Sequence, residues 1–163
     1  EQWFSRAMLA NPDSYAACKA KAFALSPQWH GNAVDALAFG AQCLAKGTAR
    51  NRIPLVLVDV IHNLVIFIDP SKRGDPGLWK DIHDAYEKML DDKSRLVDDK
   101  AQYLADRSDY LTFAYNWGQW QAFLDLSRRF GNDIDMPRLG GKDLYAFYKR
   151  KAAEALAGAT TAP

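Results

Sequence analysis

Apolar positions recur three and four residues apart along most of this chain, and Pro or Gly closes nearly every run. Residues 1–10 form a first helical segment with no capping residue before it. Asn11-Pro12 is a stop and a start in one, because Pro cannot continue a helix yet suits its first turn. A second helix is expected over 13–25, with Tyr15, Cys18, Ala22 and Leu25 on one face and Ser26-Pro27 ending it. After the loop 27–31, Asn32 can accept from the free amides of a third helix that runs to Ala45. Its stripe is Ala33, Leu37, Gly40 and Leu44, and Gly47 is expected as a left-handed stop.

Residues 54–68 are apolar nearly all round, as in a central helix. Their β-branched content makes a buried strand the rival, and their length favours helix. Asp69-Pro70 ends the run, and 71–77 read as a polar loop. Trp79, Ile82, Tyr86 and Met89 then mark an amphipathic helix over 78–90. A sixth segment covers about 96–117, with a possible break at the polar stretch 106–109 and a stop at Gly118. A seventh covers 119–130 up to Gly131. Gly140-Gly141 leads into an eighth over 143–156, with Leu144, Phe147 and Tyr148 expected inward. No hairpin signal occurs. The expectation is an all-α protein with consecutive helices packed antiparallel, as one domain over 1–157 and a frayed tail over 158–163.

Two junctions carry a resemblance. Trp3-Phe4-Ser5-Arg6-Ala7-Met8-Leu9-Ala10-Asn11-Pro12-Asp13-Ser14 resembles the boundary between consecutive tetratricopeptide repeats, where one helix closes and Asn/Asp-Pro opens the next. Ala114-Tyr115-Asn116-Trp117-Gly118-Gln119-Trp120 is similar to the turn inside such a repeat, though one residue shorter. Cys18 and Lys21 stand where the family usually has an aromatic residue and a Leu, and 54–68 fit no repeat. The resemblance implies antiparallel helix hairpins stacked as an irregular array, with a first helix truncated at its start. It also implies a concave surface that binds a peptide or partner subunit. Trp29, His30, Trp79 and Trp120 are the candidate contacts on such a surface.

A net charge of +1 disfavours a dedicated nucleic-acid binder, which needs a basic face. The apolar run 53–68 is interrupted by Asp59, His62 and Asn63, and falls short of the roughly 20 residues of a membrane span. Catalytic chemistry finds little support. Asp59 and His62 share a helix face at i, i+3, but a di-iron bundle needs two such motifs and further Glu, and the chain has three Glu. Trp29-His30-Gly31 could place an imidazole in a turn. No Cys-x-x-Cys, phosphate loop or nucleophile elbow occurs. The expectation is therefore a non-catalytic interaction module with a protein or peptide partner, no cofactor and no metal. The alternative is a small helical ligand-binding domain or enzyme using the Trp29-His30 loop or the Asp59/His62 face.

Cys18 lies nine residues before Pro27 and Cys43 twelve after Gly31. In an antiparallel hairpin, at about 1.5 Å per residue, their heights differ by about 4.5 Å. They are thus expected near disulfide reach, against the reading of two independent core thiols. A cytoplasmic setting follows from free thiols, and a periplasmic or extracellular one from a bridge.

Overall fold

The computed structural model describes residues 2–48, 50–91 and 99–160. Among these residues every regular element is helical and no strand occurs. Contacts divide the chain into two compact units, Glu1–Asp92 and Lys93–Pro163.

The first unit holds α1 (Gln2–Ala10), α2 (Tyr15–Ala24), α3 (Ala33–Lys46), α4 (Leu55–Asn63) and α5 (Pro76–Leu90). Consecutive helices pack on one another, and α2 also touches α4. Three of the starts are capped by side chains. Ser14 accepts from the Ala17 amide, Asn32 from Asp35, and Asp75 from Gly77 and Leu78. The helix α4 is the hub: Leu55, Val56, Leu57, Val58, Val60 and Ile61 are all buried. Its β-branched residues cost at most about 0.7 kcal/mol each in helix propensity. Burying each side chain stabilises by roughly 1.5–3 kcal/mol, so burial wins and the strand alternative fails.

The run does not stay α-helical to Ile68. At Leu64–Ile68 the ladder widens into a π turn, and the Asp69 amide donates to the Leu64 carbonyl at 2.8 Å. The widening leaves Ile66, Phe67 and Ile68 exposed. Gly47 also departs from expectation. Its φ is −66°, so it is extended rather than left-handed. A side chain there is barred by packing, because a Cβ would stand 2.6 Å from Pro54 Cδ. Trp3 is half exposed. Phe4 makes the inward contact, edge-on to Phe39 at 5.7 Å.

The second unit holds α6 (Lys100–Asn116), α7 (Trp120–Phe130) and α8 (Lys142–Thr160). No break occurs at 106–109. Asp106 and Ser108 are fully buried, and Asp106 accepts from Gln102 Nε2 one turn back at 3.0 Å. The start expected near Leu96 lies partly outside the described residues. Gly118, Gly131, Gly140 and Gly141 all have positive φ at the turns. The face of α8 is rotated from the one expected. Tyr145 and Ala152 are buried and Leu144 and Phe147 exposed, while Tyr148 is half-buried with its ring 4.3 Å from that of Tyr115. The helix also continues through Thr160 where a frayed tail from 158 was expected, and 161–163 lie outside the described residues.

Candidate functional site

The first unit holds an apolar, half-open groove of about 340 Å³. Small residues make it. Ala20 and Ala22 of α2 and Ala33 and Ala36 of α3 leave space that larger residues would fill. Phe23, Val60, Leu64 and Ile68 form the apolar sides. The π turn thus contributes to one wall, by re-aiming side chains that a continued α-helix would have placed elsewhere.

Polar groups sit at two places. Ser26 closes one end, and its hydroxyl oxygen is buried without a hydrogen-bond partner among the described residues. Lys19 and Asp59 flank the mouth, with Lys19 Nζ 3.1 Å from Asp59 Oδ1. The Tyr15 hydroxyl donates to the other Asp59 oxygen, Oδ2. The Arg52 guanidinium lies 4.8 Å from the Tyr15 ring centroid. Asp59 is therefore tied to Tyr15 and Lys19. His62 is exposed and does not line the groove.

Of the four candidate contacts, Trp29 belongs to this region. It is 58% exposed, and its ring lies 5.4 Å from that of Phe23 on the groove wall. His30 follows in a left-handed conformation at φ 69°, exposed and off the lining. Trp79 is half-buried on α5, its ring 6.1 Å from that of His83. Trp120 is in the second unit, edge-on to Tyr115 at 5.3 Å. Sequence reasoning missed the alanines and Ser26. The available signal was the alanine content of α2, with Ala16 and Ala20 one turn apart.

Two further clefts exist. In the second unit about 230 Å³ opens beside Tyr115, Tyr148 and Arg138. Arg138 is already committed there, pairing both Asp109 oxygens at 2.5 and 2.8 Å. In the first unit a wider cleft of about 480 Å³ reaches Cys18 and Cys43. Both cysteines are free and buried, and both belong to one core cluster. Burial raises both above the ordinary thiol value, Cys43 from 9.0 to about 12. Among the described residues no three His, Cys, Asp or Glu cluster as metal ligands, and no helix is long and apolar enough to cross a membrane. No protein-family model, curated protein or solved structure matches the chain.

Proposed function

We propose that the first unit is an interaction module whose groove receives the apolar face of a helix from a partner protein. One observation carries this reading: an apolar groove of about 340 Å³ opens beside a run of exposed large hydrophobics. Phe23, Trp29, Phe67 and Ile68 are 44%, 58%, 64% and 38% exposed. Contiguous exposed apolar surface rimmed by polar groups marks interaction sites. A helix laid in such a groove offers anchors at i, i+3, i+4 and i+7. The Lys19–Asp59 pair would fix its register, since an exposed pair contributes at most about 1 kcal/mol and is easily exchanged for pairs to a partner. In this reading the chemistry is differential burial, without bond-making, and the protein is not an enzyme. The tetratricopeptide-like arrangement remains the architecture that the two sequence junctions suggest for such a module.

Ser26 favours a second reading. A buried hydroxyl without a partner is costly, and a small apolar molecule carrying one acceptor or donor would satisfy it.

A selection separates the two. Helical peptides displayed from a randomised library are enriched on the intact chain, with counter-selection on Ala20→Trp, which fills the groove from an exposed position. The docking reading requires convergence on apolar residues at helical spacing and loss of binding to Ala20→Trp. Peptides that bind wild type and Ala20→Trp equally would overturn it.

A further inference from the structure

We propose that Met8, Cys18 and Cys43 form a three-sulfur site for monovalent copper, reached through the wider cleft of the first unit. Three helices bring the sulfurs together. Met8 is on α1, Cys18 on α2 and Cys43 on α3, and all three line the cleft. The Cys18 thiol donates to Met8 Sδ at 3.9 Å, and Cys43 lines the same cleft and belongs to the same buried cluster as Cys18. Three sulfurs bound at about 2.3 Å around one ion stand about 4 Å apart, which is the spacing already present between Met8 and Cys18.

The donor set selects the metal. Two thiolates and a thioether are soft ligands that suit Cu(I). A structural zinc site needs four ligands, and among the described residues no third His, Cys, Asp or Glu joins the pair. Charge fits as well. The two thiols lose their protons to solvent as Cu(I) binds, so a bis-thiolate complex carries one net negative charge. Lys21 stands over the Phe4 and Phe39 rings at 4.4 and 4.9 Å, and its charge acts on both thiols. Lys46 acts on Cys43. These cations offset the charge in a setting whose other members, among them Ala22, Ala36 and Val56, are apolar.

The test uses the reduced full-length chain under anaerobic conditions, titrated with Cu(I) against a chromophoric Cu(I) chelator. One equivalent should bind, with three sulfur scatterers in X-ray absorption. Met8→Leu conserves volume and should keep the fold, lose one sulfur scatterer and weaken binding about tenfold or more. Cys18→Ser with Cys43→Ser should abolish competitive binding, checked beside an unchanged circular dichroism spectrum. Zn(II) should not compete for the site. Wild-type affinity in the double serine variant would overturn the proposal. So would an unchanged affinity and sulfur count in Met8→Leu.

Discussion

Gly40 on α3 presses directly against Leu57 on α4: a Cβ on Gly40 would stand 2.8 Å from Leu57 Cδ1 and 3.0 Å from Leu57 Cα. The second distance is to backbone, so the neighbour cannot swing away. Ala would gain about 0.8–1.0 kcal/mol of helix propensity over Gly. Overpacking a tight core typically costs about 1–3 kcal/mol. Gly40→Ala is therefore expected to lower stability by about 1 kcal/mol, and Gly40→Val by more, as read from urea unfolding midpoints. An Ala variant more stable than wild type would show that α3 and α4 are not so closely packed.

The second unit depends on one buried hydroxyl. Ser108 Oγ accepts from the Asp135 amide at 2.8 Å and sits 3.1 Å from the Leu104 carbonyl, to which its own proton can be donated. It thereby pins the loop after α7 to α6. Ser108→Ala leaves the Asp135 amide only its long bond to the Leu104 carbonyl, at 3.4 Å, and is expected to cost about 1 kcal/mol. Amide exchange at Asp135 should accelerate correspondingly. Unchanged protection there would contradict the assignment.

Cys43 gives the stability a definite pH dependence. Its folded value is raised from 9.0 to about 12, chiefly by burial, so the unfolded chain loses this proton first as pH rises. The contribution is complete below about pH 9 and is lost progressively up to about pH 12. Metal-free protein should thus lose stability through this window, and Cys43→Ala should show a shallower alkaline slope. Equal slopes in the two proteins would mean that the thiol is not held neutral by the fold.

Much of the helical layout was legible because each boundary carries its own chemistry: Pro12, Asn32, Asp69-Pro70, Gly118 and Gly131 mark turns or ends in the structure. The failures have physical causes. Gly47 signalled a left-handed stop, but its smallness serves the approach of Pro54. Asp106 and Ser108 suggested a break, yet each finds a partner within α6 and is buried instead. The π turn at 64–68 leaves no signature, because the same apolar run satisfies either ladder. Trp29 was recognisable as a candidate contact. The groove beside it was not, since alanines report space only once the helices that carry them are placed. The two cysteines were expected near disulfide reach; both are free and buried, and both line one cleft. The distant Met8 sulfur carried no signal of its own.

Docking in the groove is tested most directly by a methyl-labelled NMR titration of the intact chain with the tightest helix from the display selection. Shifts should concentrate on Ala20, Ala33, Val60, Leu64 and Ile68, which line the groove, with peptide-to-protein NOEs to the same methyls. Shifts that leave those methyls unmoved and fall on other faces of the chain would contradict the proposal.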